Sequence, residues 1–267
     1  MSSSRLERYL EQQRILCGET AHVVPVMPAP NMPAPRPEGL ASPRSRVTEI
    51  VQPEEETMRK TAHWSLATDL RELEPRICTC TNCALGATRT KFVCGTGDPD
   101  ADIVVIGEAP GADEDASGEP FVGRAGQLLT KILEAVNLRR EEVFNCNIVK
   151  CRPPNNRTPL PEEVAECEPY LFKQLDIIRP AFILALGLTA VNTLTTNKFK
   201  MADVRGSFFP YRDSRMMVTY HPAALLRNPE WKRSAWEDVK LLRKSYDDYK
   251  STGRLPDVRP FPSVSSP

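Results

Sequence analysis

The chain has 267 residues with 35 basic and 35 acidic side chains, so its formal net charge is zero. That length fits one sizeable domain with extensions, or two small ones, and the charge balance argues against a strongly basic nucleic-acid coat protein while allowing a local basic patch. No apolar run reaches the roughly 18–20 residues of a membrane span, and the start, Met-Ser-Ser-Ser-Arg-Leu-Glu-Arg, lacks a signal-peptide core. A cytoplasmic protein is expected, with its eight cysteines reduced and disulfides the weaker alternative.

Taken in chain order, Arg5 to Leu16 places Leu6, Tyr9 and Leu10 near helical spacing, which suits a short docking helix or a frayed surface one. Residues from about 20 to 60 are proline-rich and read as an extended linker. From 76 the pattern alternates between strand and helix. Ile103–Gly107 is a continuous apolar run and predicts a buried parallel strand. A helix is predicted over Gly126–Val136, then a strand over Val143–Val149. Pro161–Ile178 predicts a helix with proline near its first position and Glu162 and Glu163 at the positive end of its dipole. Phe182–Leu186 is a third strand, Leu188–Leu194 a helix, Met216–Tyr220 a fourth strand and Trp231–Tyr249 the last helix. Residues 1–75 read as an N-terminal extension, 76–250 as the folded domain and 251–267 as a loose tail. The alternation predicts a three-layer α/β/α sandwich on a mostly parallel four-stranded sheet. Its active site should sit at the carboxyl ends of the strands.

Two features carry the chemistry. Cys80 and Cys83 form a C-x-x-C pair, and Cys151 and Cys167 follow far downstream with fifteen residues between them. A zinc ribbon normally closes with a second close-set pair. Four thiolates gathered from distant points suit an iron–sulfur cluster instead, with zinc as the alternative and Cys78 as a rival ligand. Cys94 and Cys146 read as apolar fillers. The strand exits are the second feature: Gly107-Glu-Ala-Pro-Gly111 after the first strand, Asn147 before Lys150-Cys-Arg-Pro-Pro154 after the second, and Tyr220-His-Pro222 after the fourth. Neither G-x-G-x-x-G nor a Walker A motif is present, so a nucleotide-phosphate cradle is a weak reading.

These motifs, with Gly118-Glu-Pro-Phe-Val-Gly-Arg-Ala-Gly-Gln-Leu-Leu129 and His221-Pro-Ala-Ala-Leu-Leu-Arg227, resemble the family 4 uracil-DNA glycosylases, the iron–sulfur branch of the uracil-DNA glycosylase superfamily. The resemblance covers roughly residues 78 to 248. It implies an enzyme that flips uracil out of DNA and hydrolyses its N-glycosidic bond to start base-excision repair. It implies a [4Fe–4S] cluster on Cys80, Cys83, Cys151 and Cys167. Gly107, Glu108, Ala109, Phe121, Asn147 and His221 are implied to contact uracil, Asn147 by reading N3–H and O4, Phe121 by stacking, and His221 by donating to O2 as charge develops there. Ala109 stands where the best-studied branch has a water-activating aspartate, so Glu108 is the carboxylate expected to place water, with Asp113, Glu114 and Asp115 as alternates. Leu225, Leu226 and Arg227 resemble a wedge that fills the emptied stack. Arg152 and Arg157, with Lys150, Arg227, Lys232 and Arg233, are expected to form a phosphate rim.

The partner is then uracil-containing DNA, double- and single-stranded. The protein is expected to act as a monomer at the nucleoid, without membrane contact, with the proline-rich arm recruiting a protein. Two other readings remain open. One is a covalent or non-turnover binder of uracil-DNA, disfavoured because no histidine follows Cys151 in Pro153-Pro-Asn-Asn-Arg-Thr158. The other is a glycosylase-fold scaffold module, disfavoured by intact Glu108, Asn147 and His221.

Overall fold

The computed structural model describes residues 64–263. The predicted helix over residues 5–16, the proline-rich linker and Cys17 lie outside the described residues. In chain order the described elements are α1 (Leu70–Ile77), α2 (Leu85–Thr88), β1 (Thr96–Gly97), β2 (Ile103–Gly107), α3 (Ala112–Ser117), α4 (Arg124–Glu134) and β3 (Phe144–Asn147). They continue with α5 (Pro161–Ile178), β4 (Phe182–Leu186), α6 (Gly187–Thr195), α7 (Met201–Val204), β5 (Phe208–Tyr211), β6 (Ser214–Thr219), α8 (Pro222–Arg227) and α9 (Lys232–Thr252).

The sheet runs β1-β3-β2-β4-β6-β5. Its four inner strands are the four predicted ones and are mutually parallel. The structure adds two antiparallel edge strands that extend the four-stranded expectation to six. Both edges hide from sequence for physical reasons. β1 is two residues long, and β5 carries Pro210, whose missing N–H is tolerated on an edge strand but not inside a sheet.

Side-chain alternation along the inner strands builds two cores. Val104, Ile106, Ile183, Ala185, Met216 and Val218 face one layer, with Leu73 and Ile77 of α1 and Leu171 and Leu175 of α5. Ile103, Val105, Phe182, Leu184 and Met217 face the other, with Leu129 and Leu133 of α4 and Val239 and Leu242 of α9. Period-two strands covered on both faces have no solvated side, which is why these runs are continuously apolar. The α/β/α sandwich follows.

Parallel pairing aligns the strand exits. Gly107 pairs with Asn147, and Leu186 with Thr219. α9 ends at Gly253, in the left-handed conformation at φ 70°. The chain beyond it is docked as far as Phe261, unlike the loose tail expected from residue 251. Arg259 N–H donates to the Phe208 carbonyl at 3.0 Å, and the Phe261 ring stacks on Phe209 with centroids 4.5 Å apart. Among the described residues no helix is long and apolar enough to cross a membrane.

Candidate active site at the strand exits

The carboxyl ends of the parallel strands bring Gly107, Phe121, Asn147 and His221 together. Gly107 forms the floor: a Cβ placed there would lie 2.5 Å from Asn147 Oδ1 and 2.7 Å from the Phe121 ring. The Phe121 and His221 ring centroids are 6.3 Å apart. Asn147 is buried at the end of β3, and among the described residues its Oδ1 has no hydrogen-bond partner. Leaving such an acceptor unmet costs about 1–3 kcal/mol.

His221 caps the N-terminus of α8. Its Nδ1 accepts from the Ala223 N–H at 3.1 Å, which leaves Nε2 to carry the proton of the neutral ring. Burial, aided by the nearby Arg227 charge, lowers its pKa from 6.5 to about 4. The imidazole is therefore neutral at physiological pH, a fixed Nε2–H donor.

Phe121 is held in the left-handed region, at φ 56°, a conformation that costs a non-glycine residue roughly 1–2 kcal/mol. Its surroundings impose it. Arg140 Nη1 donates to the Phe121 carbonyl at 2.7 Å and to Thr130 Oγ1 at 3.2 Å, while Nη2 donates to the Pro120 carbonyl. Gly126 lets α4 approach this turn, since a Cβ there would fall 1.8 Å from the Phe121 oxygen. Glu114 then ties the turn to the β2 exit loop. Its Oε1 accepts from Val122 and Gly123 N–H at 2.9 Å each, and its Oε2 from Gly111 N–H at 3.0 Å.

The acidic alternates are thereby sorted. Glu114 is consumed by three backbone donors, and buried Asp115 by the Thr90 N–H at 2.8 Å. Asp113 is exposed on α3, while Glu108 and Ala109 are half-buried beside the floor. Glu108 is thus the carboxylate left next to Gly107.

The described cysteines carry no disulfide. Cys80 and Cys83 follow α1, Cys151 follows β3 and Cys167 lies on α5. Cys151 feels the charges of Cys83 and Cys80, and Cys167 those of Cys151 and Cys80, so the four predicted ligands are neighbours. Donors point at their sulfurs: Tyr170 Oη to Cys80 at 3.2 Å, the Lys150 backbone N–H to Cys167 at 3.2 Å and Arg89 Nη1 to Cys151 at 3.5 Å. Burial pushes the Cys151 thiol up to about 11 and the Cys167 thiol to about 12. Cys78, the rival, instead donates to the Pro75 carbonyl of its own helix. Among the described residues no three Cys, His, Asp or Glu side chains stand in a metal-holding arrangement.

A family model described as the uracil DNA glycosylase superfamily matches residues 94–240. The chain belongs to this superfamily. Its relatives there include type-4 members. The chain is 47% identical over 172 residues to the type-4 uracil-DNA glycosylase of Thermotoga maritima, covering 63% of this chain and 90% of the relative. It is 42% identical over 195 residues to that of Archaeoglobus fulgidus, covering 70% and 92%. A type-5 uracil-DNA glycosylase of Pyrobaculum aerophilum is 32% identical over 150 residues, covering 48% of this chain and 64% of the relative.

For this superfamily member the rim differs from the expectation in three places. Leu225 is not part of an exposed pair: it is 1% exposed and anchors α8, leaving Leu226, 39% exposed, and Arg227 at the surface. Helical geometry puts successive residues on different faces, so one of two adjacent leucines turns inward. Arg157 is neutralised by a two-pronged pair with Glu163, at 2.8 and 2.6 Å. Lys150 is fully buried and cannot touch phosphate. Arg152 is half-buried with its Nε on Asn156 Oδ1 at 2.7 Å, while Lys232 and Arg233 are exposed. Sequence reasoning also missed Arg140 and the bracing role of Glu114. Arg140 lies 19 residues from Phe121 in the chain, so no local pattern pointed to it.

Proposed function

We propose that the protein excises uracil from DNA by hydrolysing the bond between uracil N1 and deoxyribose C1′, leaving an abasic site for base-excision repair. The unmet Asn147 Oδ1 above the Gly107 floor carries this reading. Uracil presents an N3–H donor to it, whereas cytosine presents an acceptor there and leaves two acceptors facing each other. Phe121 supplies the stacking face for the flipped base. The type-4 relatives are named uracil-DNA glycosylases, and membership of their family supports the same activity here.

The catalytic steps fall to His221 and Glu108. As the N1–C1′ bond breaks, its electron pair moves onto the uracil ring and C1′ becomes cationic. The His221 Nε2–H donates to O2, where negative charge grows. Glu108 orients water toward C1′; the hydroxyl adds to the sugar, and the released proton leaves by way of the carboxylate. Leu226 fills the emptied stack and Arg227 and Arg152 contact phosphate. The catalytic domain begins before residue 76, since α1 packs Leu73 into the core, and reaches the docked Phe261, with the arm ahead of it as a protein-recruiting extension.

Cys80, Cys83, Cys151 and Cys167 would hold a [4Fe–4S] cluster, a reading supported by an all-thiol donor set and N–H donors aimed at three of the four sulfurs' surroundings, Cys80, Cys151 and Cys167. When bound, the cluster supplies a staple between α1, the β3 exit and α5, since hydrolysis needs no electron. The activity is tested by incubating the protein with uracil- and thymine-containing oligonucleotides and treating with alkali. Strand breaks at uracil alone are expected; an intact uracil strand would overturn the reading.

A further inference from the structure

Lys150 is the largest fully buried side chain of the molecule's described part. Its Nζ donates to the Asn147 backbone carbonyl at 2.8 Å and to Gln174 Oε1 at 2.5 Å. Both acceptors are neutral, and among the described residues no carboxylate pairs with it. Gln174 is held in turn, donating to the Cys94 carbonyl at 2.9 Å. A buried cation without an anion is strongly unfavourable, and such charges are retained where they are paired or serve a metal. Among the described residues the predicted ligand Cys167 lies beside it. The Lys150 backbone N–H bonds Cys167 Sγ, Lys150 precedes Cys151 in the chain, and Gln174 lies two turns beyond Cys167 on α5.

We propose that Lys150 is the buried counter-charge of the four-thiolate centre and, through the Asn147 carbonyl, the brace that fixes the base-reading amide. Four thiolates around an iron–sulfur core leave a net negative centre, and one interior cation compensates part of it. The same side chain spans from that centre to the pocket, so the metal site sets the position of Asn147 through one residue. This proposal rests on the cluster assigned under the proposed function, and its test separates the two.

The experiment uses the anaerobically purified holoprotein, with iron content and the one-electron reduction potential of the cluster measured beside single-turnover uracil excision. Lys150→Met removes the cation, and Gln174→Glu gives it a fixed carboxylate. Either change leaves the network neutral, so both should shift the potential in the negative direction. Excision should slow in Lys150→Met, which loses the brace, and stay at the wild-type rate in Gln174→Glu, which keeps it. Should Lys150→Met fail to accumulate, Gln174→Glu alone decides the point. Potentials equal to wild type in iron-loaded variants would overturn the counter-charge, whereas a wild-type protein without iron would overturn the cluster reading and this proposal with it.

Discussion

Gly107 lies beneath both Asn147 Oδ1 and the Phe121 ring, closer than any side chain permits. Gly107→Ala should therefore crowd the pocket, because the new methyl meets Asn147 Oδ1 and the buried Phe121 ring. Single-turnover excision should fall at least about tenfold, the scale of roughly 1.4 kcal/mol; unimpaired excision would remove Gly107 from the floor. His221 supplies a pH signature. Its folded pKa, about 4, lies below the ordinary 6.5, so the unfolded chain takes up its proton first as pH falls. The contribution to stability is complete above pH 6.5 and is lost as pH drops toward 4. Asn in its place retains a helix cap without titrating. Denaturant midpoints at pH 7 and pH 4.5 should thus fall further for wild type than for His221→Asn, and equal falls would show that the ring is not buried neutral.

At the scale of elements, Glu114 locks the β2 exit loop to the Phe121 turn through three backbone N–H groups. Glu114→Ala leaves those donors unmet, and should weaken excision through misplaced Phe121 by roughly 1–3 kcal/mol, read as a loss of single-turnover rate larger than any loss of DNA binding. A change confined to DNA binding would contradict it. The elements themselves were unevenly legible. Ile103–Gly107, Pro161–Ile178 and Phe182–Leu186 could be read to the residue, since fully buried strands are apolar throughout and the helix announces its start with proline and glutamate. β1 and β5 could not, being short edges whose pairing is set by tertiary contact. Of the site, Gly107, Phe121, Asn147 and His221 were legible as motif residues at strand exits. Lys150 was misread as a surface cation because its burial depends on Asn147 and Gln174, 3 and 24 residues away. Leu225 was misread because adjacent leucines do not reveal which one faces α4.

At the scale of the molecule, the thiols join three segments that the sheet does not hold together: the end of α1, the β3 exit and α5. A bound cluster acts as folding free energy, so Cys167→Ala should lose visible colour, iron and soluble yield together, against about four irons per chain in wild type; a colourless wild type, or a Cys167→Ala variant as soluble as wild type, would show the staple is absent. The sandwich converges the four parallel strand ends on one pocket, and the claim that this pocket reads uracil rests on Asn147. Its most direct test is the single-turnover rate of Asn147→Ala on a uracil-containing oligonucleotide. Loss of amide contacts worth about 1–3 kcal/mol each predicts a fall of about a hundredfold or more, whereas excision at the wild-type rate would place the base outside this pocket and contradict the account.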